Sequence, residues 1–318
     1  MTRAVVTQGQ LWLLSDAGVL SSVKLHSRVL IRQRIGSPVL DICVRAGDPE
    51  IAVVGPGEAM WTIEHFSKGK WLVDESVPRD RDQFIALDCA GNDLAILTSR
   101  RLISIRQRTQ RFVTLSQGIL PDYVASVFGT PQDVFVGINA GEWGGGLRRI
   151  VRRTGAVINV ARNASGALCG GPLNTDCDPV TAISADPWNA HCVVIAIGLE
   201  HMASYGRVDE VCGDNVRRLY YKKYPFAFKP NCKRLTGTPC ETVAFFGVAR
   251  RGDELLAAGN DGLYRIKRDG SATYSHMPKF ALVGGIYVSY SVPGFVLVLT
   301  DVNRRLSVSG SVPMLVRR

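Results

Sequence analysis

Five carboxylates at wide intervals, Glu58, Glu142, Glu200, Asp261 and Asp301, carry the oxygen donors of a divalent-cation site. Such a site needs several of them to converge on one point. Nothing in their spacing dictates that convergence. The five histidines, His26, His65, His191, His201 and His276, form no HxxxH or HExxH pair that would put two ligands on one metal. Nucleophile and phosphate motifs are missing too: there is no GxSxG elbow, no P-loop and no GxGxxG. The triplet Gly144 to Gly146 follows a strand pattern but opens a hairpin instead of a helix. No cofactor is implied, and a hydrolase or lyase with an axial metal stands only as an alternative.

Residues suited to binding are easier to find. Glu142 with Trp143, and Glu200 with His201, fall in the two longest turns of a repeating pattern, and Arg100, Arg101, Asp261 and Arg304 fall in equivalent turns. Exposed Trp and Arg side chains dominate the energy of many interfaces. The competing expectation is that Trp143 packs on a neighbouring hairpin while Glu200 and His201 are solvated turn residues. A second candidate is VRRLYYKKYPFAFKPNCKR (residues 216–234), where Tyr220, Tyr221, Lys222 and Lys223 interleave aromatic and basic chemistry. Such a stretch can stack bases, form a protein hot spot, or cover a sheet edge.

The formal charge of +10 and a pI near 9.4 favour acidic partners, whether protein, RNA or anionic lipid, and make association salt-sensitive. Seven Arg-Arg pairs are scattered along the chain, and neighbours in a strand point to opposite faces. This dispersal argues against a single dedicated nucleic-acid groove.

Among the cysteines, Cys43, Cys89 and Cys192 lie in apolar strand-like runs, where a free thiol behaves as a small buried hydrophobe. Cys169, Cys177, Cys212, Cys232 and Cys240 lie in two longer intervals. The spacings Cys169/Cys177 and Cys232/Cys240 suit small disulfide loops but not CxxC zinc knuckles. The opening residues lack the apolar core of a secretory signal, and no run of 18 apolar residues occurs. Reduced cysteines and a cytoplasmic location are therefore expected, and oxidation of those loops would point to a periplasmic or secreted home.

The elements that must position these residues repeat. Seven segments share an apolar β-rich run, a turn of Gly, Asp, Asn or Arg, and a second alternating run, starting at Leu11, Ile51, Leu94, Val134, Val193, Leu255 and Phe295. Their starts lie 40, 43, 40, 59, 62 and 40 residues apart, and four of these match one four-stranded propeller blade. A nearly continuous apolar run precedes most units, as in PVLDICVR (38–45) and QFIALDCA (83–90), and reads as an inner strand covered on both faces. The 32 glycines and 15 prolines are spread evenly, as many short strands require.

Two segments add a resemblance. NAGEWGGGLRRIVRRTGAV (139–157) and DGLYRIKRDGSATY (261–274) resemble degenerate hairpins of Asp-box or BNR-type propeller repeats, with Asp269 and Gly270 in the turn and Tyr274 where that family carries Trp. In that family the box is a structural turn, so the resemblance implies a fold and not an active site.

The expectation is an all-β protein: one β-propeller domain over residues 1–318, most simply seven blades of four antiparallel strands, with inserted loops at about 161–180 and 202–240. A pair of β-sandwich domains split near 161–180 is the competing architecture. The expected role is a non-catalytic scaffold that captures a macromolecular partner, an acidic protein above all, in the manner of an inhibitor or immunity protein. The alternatives are the axial-metal enzyme and an RNA or polyanion binder working through residues 216–234.

Overall fold

A computed structural model describes residues 3–26, 29–90, 93–160, 171–200, 204–223, 242–277, 286–300 and 314–318. Its strands fall into seven separate sheets, each contiguous in sequence and antiparallel throughout. The first is β1 (Arg3–Thr7), β2 (Gln10–Leu14), β3 (Leu20–Lys24) and β4 (Leu30–Arg32). The second is β5 (Val39–Arg45), β6 (Asp48–Val54), β7 (Met60–Ser67) and β8 (Lys70–Pro78). The third is β9 (Phe84–Asp88), β10 (Leu94–Thr98), β11 (Arg101–Arg106) and β12 (Thr109–Thr114), and the fourth is β13 (Val124–Gly129), β14 (Asp133–Asn139), β15 (Gly145–Val151) and β16 (Val157–Val160). The fifth is β17 (Val180–Ala185), β18 (Val193–Glu200), β19 (Ser204–Cys212) and β20 (Asn215–Tyr220). The sixth is β21 (Phe245–Arg251), β22 (Glu254–Gly259), β23 (Gly262–Ile266) and β24 (Ala272–His276). The described part of the seventh is β25 (Ile286–Ser289), β26 (Phe295–Thr300) and β27 (Met314–Arg317).

The first strand of each sheet packs beside the first strand of the next, and β25 returns to β1, so the seven sheets close into a ring. Seven apolar clusters occupy the seven gaps. Trp12, Leu14 and Leu20 of the first blade meet Ile42, Ile51 and Val53 of the second. Ala4 and Leu11 meet Val292 and Leu297 of the last blade at the point of closure. No blade can bury both faces alone, so each apolar face is covered by its neighbour, which rules out two stacked sandwiches. At the closing seam Ser289 Oγ donates to the Ala4 carbonyl at 3.2 Å, and the Ala4 amide donates to Tyr287 Oη at 3.4 Å. Among the described residues β1 ladders only with β2 and β27 only with β26.

The strand wholly sandwiched between blades is the second of each sheet, not the first. LAILT of β10 is buried at all five positions, whereas VASVFG of β13 is half-buried throughout because first strands face the central axis. The fourth strands are largely exposed, as in β4 and β24.

Two sequence expectations change. Residues 204–220 fall inside the interval read as an inserted loop, although the repeat unit that starts at Val193 runs on to Val211; they are β19 and β20, the third and fourth strands of blade five. Their alternation was masked by the length of the link that follows. Cys43, Cys89 and Cys192 are not free thiols: Cys43 pairs with Cys89 across blades two and three, and Cys192 with Cys212 inside blade five. Adjacent strand ends bring the partners together although 46 and 20 residues separate them in sequence. Cys177 is disulfide-bonded as well, while Cys169, Cys232 and Cys240 lie outside the described residues.

Candidate functional site

Every blade runs its first strand in the same sense, so the turns between second and third strands share a face with the links between blades. The predicted turn residues that are described, Glu58, Arg100, Arg101, Glu142, Trp143, Glu200 and Asp261, belong to this link face. His201 and Arg304 lie outside the described residues, as do Asp301 and Asn303.

On blade four, Glu142 and Trp143 occupy a single 3-10 turn (Gly141–Trp143) at the tip of the β14–β15 hairpin. Trp143 is 85% exposed, so it does not pack on a neighbouring hairpin. Val124 pairs with Ile138, so the link that precedes β13 and the turn that follows β14 leave the blade side by side. That link adds Leu120, 68% exposed, and Tyr123, 46% exposed. The glycine triplet beneath the turn has a steric role. A Cβ on Gly145 would lie 2.4 Å from the Asp178 carbonyl oxygen, and one on Gly144 would lie 2.5 Å from that of Thr175. The link 171–179 can therefore dock, and the Gly145 and Gly146 amides donate to Thr175 and Asp178 carbonyls at 2.7 Å.

A second group forms where blades five and six meet. Asp261, in the β22–β23 turn, accepts from Lys222 Nζ at 2.8 Å and from Tyr264 Oη at 2.6 and 2.7 Å. Lys222 also sits over the Tyr274 and Tyr264 rings, 4.2 and 5.2 Å from their centroids, and such contacts contribute about 1 kcal/mol each. Tyr220 packs on Tyr264 with centroids 5.5 Å apart, and Tyr274 Oη donates to the Asp261 carbonyl at 2.8 Å. Burial, then the hydrogen bond to Asp261, pushes the Tyr264 hydroxyl far above its ordinary range, so it stays a donor. Beside it, Asn260 donates to Glu200 at 2.6 Å, and burial raises the Glu200 carboxyl. Tyr221 is exposed with the Arg218 guanidinium 4.5 Å over its ring, and Lys223 bridges to Thr242.

The structure thus brings Glu200, Tyr220, Tyr221, Lys222, Lys223 and Asp261 to one corner, with Glu142 and Trp143 on the neighbouring side of the same face. Sequence reading placed Asn260 in a turn of this face but missed Tyr264 as a member. The register Tyr264↔Tyr274 across β23–β24 is the signal that would have joined the two tyrosines.

Arg100 and Arg101 sit apart from both groups. Arg101 Nε and Arg100 Nε donate to the two carboxylate oxygens of buried Asp82 at 2.5 and 2.8 Å, and Arg101 also reaches Asp80 at 2.7 Å. Burial opposes ionisation of Asp82, but the hydrogen bonds from Arg101, Arg100 and Thr98 outweigh it and hold the carboxyl below its usual range. Arg101 is a brace for the link between blades two and three, and Arg100 keeps part of its surface free.

A buried network inside blade five was not foreseen either. Arg207 donates to Asp209 at 2.7 Å, to both oxygens of Asp178 at 2.9 and 2.8 Å, and to the Pro172 carbonyl at 2.6 Å. It ties the link 171–179 to β19. Burial pushes the Asp209 carboxyl up to about 6 against the pull of Arg207, and its Oδ1 has no hydrogen-bond partner among the described residues. Glu58, Glu142, Glu200 and Asp261 do not converge, and among the described residues no three His, Cys, Asp or Glu side chains form a metal-sized cluster.

Seven blades in a closed ring, six of them four-stranded and the seventh with three described strands, define a β-propeller. No protein-family model matches the chain, and no curated protein matches it in sequence. Solved structures share the fold. Hydrazine synthase from Kuenenia stuttgartiensis superposes with a TM-score of 0.56 at 11% identity, covering 98% of this chain and 92% of that one. An extracellular domain assigned to a hybrid two component system of B. thetaiotaomicron gives a TM-score of 0.54 at 12% identity, over 93% of this chain. The chain spans 36% of that protein's length. At such identities the likeness concerns architecture alone.

Proposed function

We propose that this propeller is a binding scaffold whose link face captures an acidic protein partner. The observation that carries the reading is Trp143, almost fully exposed at a hairpin tip, with exposed Leu120 and Tyr123 on the link of the same blade. A large aromatic left in water costs hydration free energy that a partner's surface recovers. The Lys222, Tyr274 and Tyr221 corner supplies cation and aromatic contacts beside it, and the +10 charge draws acidic surfaces toward the ring. In its narrowest form the role is that of an inhibitor or immunity-type protein masking a partner enzyme. The disulfides Cys43–Cys89 and Cys192–Cys212 support an oxidising compartment over the cytoplasm. Among the described residues no helix is long and apolar enough to cross a membrane.

The test is affinity capture from the source organism, with identification by mass spectrometry and then a binding titration on the recovered partner. Trp143→Ala is expected to weaken that titration by about 2 kcal/mol, roughly thirtyfold. Equal affinity for the two proteins removes the link face from the proposal.

A further inference from the structure

On the opposite face, between blades three and four, lies a cleft of about 880 Å³. The turns between first and second strands, at Ala90, Asp93 and 130–132, line its inner end. The turns and strand ends at 106–111 and 151–153 line its outer end, so it runs radially from axis to rim. Buried Leu94 and Ile105 form part of its wall.

Its chemistry is one-sided. Four arginines line it, Arg106, Arg111, Arg152 and Arg153, with one carboxylate, Asp93. Two of the four are already engaged. Arg152 is committed to Asp88 and, through Nε at 2.7 Å, to the Thr130 carbonyl, while Arg106 lies a loose 3.5 Å from Asp93 with both side chains exposed. Arg111 donates only to the Arg153 carbonyl at 3.0 Å, and no carboxylate pairs with Arg111 or Arg153 among the described residues. Two exposed arginines thus line one groove, Arg111 held to the Arg153 main chain and neither paired to a carboxylate among the described residues. Their planar forks are suited to grip a carboxylate with two hydrogen bonds.

We infer that this cleft is a second binding site, distinct from the link face, which takes an extended acidic segment of a protein. The lining contains no aromatic side chain, so it offers no platform for stacking nucleobases or sugar rings. It does offer Gln107, Gln132, Thr109 and Thr130, polar groups that pair with peptide amides and carbonyls. The radial shape fits a linear chain whose carboxylates meet Arg111 and Arg153 at the rim and Arg106 deeper in.

The probe is a fluorescently labelled polyglutamate peptide, followed by anisotropy at low salt. Arg111→Glu with Arg153→Glu is expected to weaken binding about tenfold or more, and raising the salt is expected to weaken the wild type steeply. A control pair with the same change in net charge on blade six, Lys267→Glu with Arg268→Glu, is expected to leave the affinity within a factor of about two. Should the first pair disturb folding, the milder Arg111→Gln with Arg153→Gln, checked by its thermal midpoint, gives the same direction. Equal losses from the two charge-reversal pairs, or tighter cleft-dependent binding of polyuridine RNA than of the peptide, would overturn the inference. Trp143→Ala is expected to leave peptide binding unchanged, so the failure of one site does not imply the failure of the other.

Discussion

Asp209 shows how a single side chain couples the ring to solution conditions. Burial raises its carboxyl from the ordinary 3.8 to about 6 although Arg207 donates to it. In the unfolded chain the group loses its proton near pH 4, whereas in the folded chain it holds the proton until pH 6. Between these values the native state binds more protons, so this group's contribution to stability falls as pH rises. Replacing Asp209 with Asn removes that slope. Urea midpoints at pH 4 and pH 7 are expected to show the variant gaining stability relative to wild type at the higher pH. A constant offset would mean that Asp209 ionises normally in the fold.

At the scale of elements, the second strands and the hairpins explain why so much of the fold was legible. Runs such as LAIL (94–97) and LLAAG (255–259) are apolar without interruption because neighbouring blades cover both their faces, and the turns of Gly, Asp, Asn or Arg that follow them recur along the chain. The fourth strands were harder to see. LIR of β4 and ATYSH of β24 are exposed edge segments whose position is set by laddering to the third strand and not by a hydrophobic pattern. The pairing of Cys43 with Cys89 was invisible for a related reason, since two apolar strands carry one cysteine each and only ring geometry sets them face to face. In the chain-entropy picture a loop of 46 residues is worth about 4 kcal/mol to the folded state. Cys43→Ser with Cys89→Ser is therefore expected to lower stability by about 3 to 4 kcal/mol in chemical denaturation. A midpoint unchanged from wild type would show that this bridge does not constrain the unfolded chain. The candidate site was partly legible: turn chemistry exposed Trp143 and Asp261. The tyrosines around Lys222 come together only through cross-strand register, and Arg101 looked available only because Asp82 lies many residues earlier in the chain.

At the scale of the whole molecule, seven blades enclose seven apolar gaps, and six of these blade pairs are also joined by a covalent link. The seventh pair, between the last blade and the first, is held by Ala4, Leu11, Val292 and Leu297 and by two hydrogen bonds at Ala4. Because no strand ladder crosses that junction among the described residues, the toroid is mechanically a split washer and not a welded hoop. Tension applied between Leu11 and Leu297 in an optical trap is expected to part this seam at low force, as an early reversible event, before any sheet unzips. A single high-force rupture would show that the junction is as strong as the ladders. A ring that can spring open at one place can also widen its bore, so a partner seated over the axis has a compliant rim to grip.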